Sequence, residues 1–231
     1  VIWLCSLLLS QSGSFKQPAT SEYIRLNIEG FVAMVSPTAK ATPKLLEPSL
    51  KLLAFRLRQV KQEVPSEALP LLQKVQFWIE VNDPQTTAAY HPDADWLKEH
   101  GYNTDMAHNI EIGNLKNFLA WQFIQPSMVL HELAHSYHFQ HVGGDDPTIA
   151  AAYRKAVEGH QYEKVPFVTG GLRKAYALTN QFEYFAECSE AYFGRNDFYP
   201  FIRSELKSFD PDGYAAVEKA WGIKPPQAQL K

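Results

Sequence analysis

Residues 131–135 read His-Glu-Leu-Ala-His, inside a run from Met128 to Tyr137 whose other members are nearly all apolar. Few short patterns restrict a fold as hard. In a strand, two side chains four positions apart lie about 13 Å from each other. On a helix they share one face, one turn apart. A helix that is apolar almost all round belongs in an interior, and a buried imidazole needs a partner for each ring nitrogen. The chain must therefore wrap other elements around this helix and bring to it groups that satisfy two histidines. One ion bound by both rings does so, and zinc suits two neutral imidazoles with a third ligand and an open position for water. Glu132 projects about 100° around the helix, where a carboxylate can hold that water without becoming a ligand.

The third ligand has two candidates. His141 stands ten positions after His131, the place of a third histidine in one class of zinc peptidase. That arrangement needs a sharp turn, normally given by Gly three residues after the second His, and a Met-containing turn downstream. Here the turn position is His138, and Met34, Met106 and Met128 all lie upstream. The other candidate is a carboxylate. Residues 183–187, Glu-Tyr-Phe-Ala-Glu, place Glu183 and Glu187 one turn apart on one helix face. Glu183 can bind the ion while Glu187 accepts a hydrogen bond from a ligand imidazole. The plainer readings are a capping box between Asn180 and Glu183, and a solvated face for Glu187 and Glu190. Phe182, Tyr184, Phe185, Ala186, Tyr192 and Phe193 make the helix apolar nearly all round. Unpaired carboxylates are costly in such surroundings.

The stretch Tyr176 to Glu187, YALTNQFEYFAE, taken with HELAH, resembles the catalytic domain of anthrax lethal factor and related zinc peptidases of the gluzincin class. The likeness extends to the Tyr seven residues before the ligand Glu and the Asn three before it, and is confined to about residues 127 to 194. It implies His131, His135 and Glu183 as ligands of one zinc ion and Glu132 as general base. It further implies Glu187 behind the ligands and Tyr176 as hydrogen-bond donor to the oxyanion. Its fold is zincin-like, with an edge strand ahead of the active-site helix able to pair with an extended substrate. The activity implied is peptide-bond hydrolysis by a zinc-activated water. A non-catalytic zinc-binding module on the same scaffold, and a peptidase using His141, are the alternatives.

The rest of the chain predicts an α+β protein, with a mixed sheet lobe, a mostly helical lobe, and the HELAH helix between them. Alternation around Gly30 over Tyr23 to Val35 predicts a strand pair or one bent strand, and Lys74 to Val81 a further strand closed by Asn82-Asp83-Pro84. Asn109 to Gly113 reads as the edge strand. Pro37, Pro43 and Pro48 predict a loop before a helix over Ser49 to Val60, and Tyr90 to Ala107 a mixture of loop and short helix. Further helices are expected over Ser127 to His141, Pro147 to Glu158, Asn180 to Phe193 and Gly213 to Lys219. Cys188 reads as a small core residue and His138 as a surface or half-buried one.

Val1 to Ser10 is uncharged and followed by Gln-Ser-Gly-Ser. It fits the apolar core of a signal peptide ending near residue 14, which predicts a secreted protein with a single domain over 20–231. The net charge of −3 among 231 residues is spread without runs of one sign, which argues against a nucleic-acid surface or a polybasic membrane patch. The expected partner is a peptide or protein substrate. Its identity and the oligomeric state are not legible from this pattern.

Overall fold

The computed structural model describes residues 16–83 and 87–223. The apolar leader and Pro84 of the expected turn lie outside them. The first elements form a hairpin, β1 (Ile24–Ile28) and β2 (Phe31–Val35). Its loop is the pair Glu29 and Gly30, with φ of 57° and 92°. Two successive left-handed residues give the tight turn whose twist matches that of paired strands, so the segment is a strand pair and not one bent strand.

A short helix α1 (Pro37–Lys40) leads into α2 (Pro43–Glu63). This helix begins six residues earlier than the proline spacing predicts. Pro43 stands in its first turn, where no backbone N–H is needed. Pro48 lies inside it, where its missing N–H forfeits one helical bond. Leu53, Leu57 and Val60 bury the opposite stripe, and that burial outweighs the lost bond. After α3 (Leu69–Leu72) come β3 (Gln76–Ile79), β4 (Ala89–Tyr90), α4 (Ala94–Glu99) and β5 (Ile110–Ile112). The helical half consists of α5 (Leu115–Trp121), α6 (Met128–Tyr137), α7 (Pro147–Glu158), α8 (Gln181–Phe193), α9 (Arg203–Phe209) and α10 (Pro211–Ala220). A two-stranded ribbon, β6 (Val165–Pro166) with β7 (Leu172–Arg173), interrupts it.

The main sheet runs β1-β2-β3-β5-β4. β2, β3 and β5 are parallel, and β1 and β4 are antiparallel to their neighbours. The architecture is thus α+β with a mixed sheet. The edge next to the helices is β4. Ile110–Ile112, expected at that edge, is an inner strand between β3 and β4 and is buried along its length. The edge strand comes from a stretch that reads as loop, because two residues are too few to show alternation.

Alternation along β2 and β3 sorts side chains to two faces. Phe31, Ala33, Val35, Phe77 and Ile79 join Leu57, Leu133, Phe185 and Trp221 in the larger core. Met34 and Trp78 turn to a smaller one with Tyr23, Leu97, Tyr102 and Met106. α6 lies on the larger-core side, in contact with β4, β5, α2 and α8. Nothing about HELAH could be met by a solvated helix: residues Val129 to Ser136 of α6 are all buried.

Candidate metal centre

α8 meets α6 with its first turn. Asn180 caps it, its Oδ1 accepting from the N–H groups of Phe182 at 2.8 Å and Glu183 at 2.9 Å. With the cap satisfied by Asn180, the Glu183 carboxylate is free to extend across to α6. Its Oε2 lies 3.0 Å from His131 Nε2 and 3.1 Å from His135 Nε2, and the two ring nitrogens are 3.0 Å apart. All three residues are buried.

Two nitrogens and one carboxylate oxygen therefore face one another across a triangle with sides of 3.0–3.1 Å. Two imidazole nitrogens at this distance share at most one proton, and the carboxylate adds negative charge to their lone pairs. Such a set fits one cation with N and O bonds of about 2.0–2.2 Å, and His-His-Glu is a donor set that zinc accepts. The electrostatics agree. Burial would push the Glu183 carboxyl up, but the imidazoles of His135 and His131 hold it well below the usual range. Burial would lower His131, but hydrogen bonds with Glu183 and Glu190 hold it well above its ordinary value. The pocket draws positive charge to these atoms.

The outward nitrogen of His131 is held by Glu190, with Nδ1 and Oε1 2.7 Å apart. The sequence spacing assigned that role to Glu187, and this is a correction. Glu183, Glu187 and Glu190 follow one another at intervals of four and three along the same face of α8, and the imidazole of His131 reaches the third carboxylate. Glu187 is buried beside it. Single donor atoms of His131, Glu187 and Glu190 lie within 4.8 Å of one another. Among the described residues, Glu187 Oε2, Glu190 Oε2 and His135 Nδ1 have no hydrogen-bond partner. Burial, followed by the charges of Glu190 and Asp197, pushes Glu187 well above the usual carboxylate range. Burial takes Glu190 up to about 7 against the opposing pull of His131. Asp197, buried in the loop after α8, is also raised by burial.

Glu132 points to the sheet. Its Oε2 accepts the backbone N–H of Tyr90 at 2.8 Å, so the edge strand orients this carboxylate directly. Tyr176 lies in a short 3₁₀ turn, Tyr176–Leu178, ahead of α8. Its O–H donates to Glu183 Oε1 at 3.3 Å. Burial, then the nearby charges of Glu183 and Glu132, raises its pKa far above the ordinary value, so the phenol stays a donor.

The remaining candidates separate clearly. His141 is exposed, in a wider π-type turn over His138–Gly143 that continues α6, with its ring 5.7 Å from that of Tyr137. It stands outside the donor cluster. His138 is fully buried, against the expectation of a surface or half-buried ring. It sits among Phe139, Phe182 and Phe185. Burial, then the charge of His135, takes it down to about 4, so it is neutral near pH 7. Cys188 is buried core. Asp146 and Asp210 are caps of α7 and α10, and Asp210 also accepts the phenols of Tyr162 and Tyr184.

Sequence reasoning missed two partners of this centre. Glu190 was readable as the third carboxylate in the 183, 187, 190 row. The Tyr90 N–H left no sequence signal, because every residue but proline carries one. No family model, no curated protein and no solved structure matches the chain. No helix among the described residues is long and apolar enough to cross a membrane.

Proposed function

We propose that the chain is a zinc-dependent metallopeptidase with a zincin-like fold, of the gluzincin class that its motifs resemble. His131, His135 and Glu183 are the ligands of one zinc ion. The observation that carries the reading is the buried two-imidazole, one-carboxylate triangle with Glu132 beside it. A zinc ion held there supplies Lewis acidity to a substrate carbonyl and lowers the pKa of water to about 7.

The chain's own groups do the rest. Glu132 keeps Oε2 on the Tyr90 N–H and takes a proton from the attacking water at Oε1. It then returns that proton to the leaving nitrogen. Tyr176 offers a neutral O–H to the developing oxyanion, a kind of contact whose loss costs about 10²-fold or more. Glu190 fixes the orientation of His131 through Nδ1.

The test is chelator-sensitive cleavage of a peptide library, run with Glu132→Gln. This variant should keep one zinc per chain and lose about 10²–10⁴-fold in rate. A purified chain without stoichiometric metal, or a Glu132→Gln variant that cleaves at the parent rate, overturns the reading.

A further inference from the structure

The opposite border of the sheet, away from the metal centre, is the exposed strand β1. Among the described residues β1 has one strand partner, β2. The two-residue turn fixes which of its backbone groups are engaged. In such a hairpin the residues flanking the turn, Ile28 and Phe31, exchange both hydrogen bonds. Alternation along the register Ile28↔Phe31, Asn27↔Val32, Leu26↔Ala33, Arg25↔Met34, Ile24↔Val35 then directs Ile28, Leu26 and Ile24 inward to β2. The N–H and C=O groups of Arg25 and Asn27 point outward. Side chains alternate as well: Ile24, Leu26 and Ile28 lie on the core face opposite Val35, Ala33 and Phe31. At this border Ile24 and Leu26 are each 37% exposed.

We propose that β1 pairs antiparallel with β1 of a second copy of this chain, about a two-fold axis at Leu26. The segment Ile-Arg-Leu-Asn-Ile is nearly palindromic in side-chain character. In this register Leu26 meets the partner's Leu26, Ile24 meets the partner's Ile28, and Arg25 meets the partner's Asn27. The pairing of positions 25 and 27 is the one that aligns the outward backbone groups, and it closes about four hydrogen bonds. The apolar row of one copy continues into that of the other on the core side.

Neighbouring registers are worse. A slip of one residue turns every side chain to the wrong face. Centring on Arg25 sets like charges directly opposite. Centring on Asn27 runs Arg25 against Glu29, a turn residue at φ 57° that already pairs with Arg58 and Lys61. A contact built on one five-residue strand is small, so the dimer is weak and concentration-dependent.

Sedimentation velocity of the full chain over a concentration series should show reversible dimerisation. Arg25→Pro removes an outward N–H that β2 does not use, and proline is tolerated on an edge strand. It should weaken the dimer at least about tenfold, since the change counts twice across the axis. A cysteine pair reads the register. In a Cys5→Ser background, Leu26→Cys places two sulfurs at a pair with Cα atoms about 4.5 Å apart, within disulfide reach. Ile24→Cys leaves its sulfurs about 13 Å apart along the strands. Mild oxidation should give a reducible dimer from Leu26→Cys and not from Ile24→Cys. A chain monomeric at every concentration, equal cross-linking by both variants, or an unchanged dimer in Arg25→Pro overturns the proposal.

Discussion

Two polar clusters are buried on opposite faces of the sheet, and they are completed in different ways. On the smaller-core face, Glu111 accepts from Gln17 Nε2 at 2.8 Å and meets His91 Nε2 at 3.0 Å, while Tyr23 donates its O–H to Glu80. Burial pushes Glu80 up to about 7 and His91 down to about 4. The cluster is composed largely of neutral groups that satisfy one another. On the α6 face, two ring nitrogens and a carboxylate converge instead, and Glu187 Oε2, Glu190 Oε2 and His135 Nδ1 find no partner among the described residues. The same polar residue types serve both clusters. What separates them is whether each polar group has its own partner or two ring nitrogens and a carboxylate crowd one point, and the second arrangement is compatible with a bound cation.

Mutations should divide the two clusters sharply. The largest effect is expected for Glu183→Ala, which should lose stoichiometric zinc by elemental analysis, while His141→Ala keeps it. The reverse pattern would move the third ligand to His141. Next comes the support of His131. Glu190→Gln should weaken zinc binding about 10–100-fold in chelator competition, and Glu187→Gln less, since Glu190 is the residue in contact. Equal losses would put the two carboxylates on the same footing.

Smaller changes are expected on the other face. His91→Ala leaves one Glu111 oxygen without its partner, which should cost about 1–3 kcal/mol in denaturant unfolding with zinc content unchanged. Smallest is a pH effect at Glu80. Its pKa in the folded chain, about 7, stands above the ordinary 4.5 because of burial, with the charges of Glu111 and Asp83 adding to it. The folded chain keeps a proton that the unfolded chain has released. This contribution is therefore full below about pH 4.5 and is lost as pH rises through about 7. Glu80→Gln should flatten the decline in Tm across that window, and an undiminished slope would assign the decline to other groups.

Much of this was legible in the chain, and the misses have physical causes. The HELAH helix, the Asn180 cap and the α8 stripe are local patterns, and their residues do come together. α2 extends through prolines that read as a loop, because a first-turn proline costs a helix nothing and tertiary burial outweighs the second. The edge strand is two residues long and is defined by its pairing with β5, which no local window contains. Glu190 rather than Glu187 meets His131 because helix spacing sets a shared face but not which member of the row a given imidazole reaches.

The hydrogen bond from Tyr90 to Glu132 is made by main chain. Every residue type but proline carries that N–H, so the donor itself comes from the chain's path and not from the identity of the residue at position 90. The side chain there is buried in the larger core beside Phe139, so one residue anchors the strand with its ring and aims the acid with its main chain.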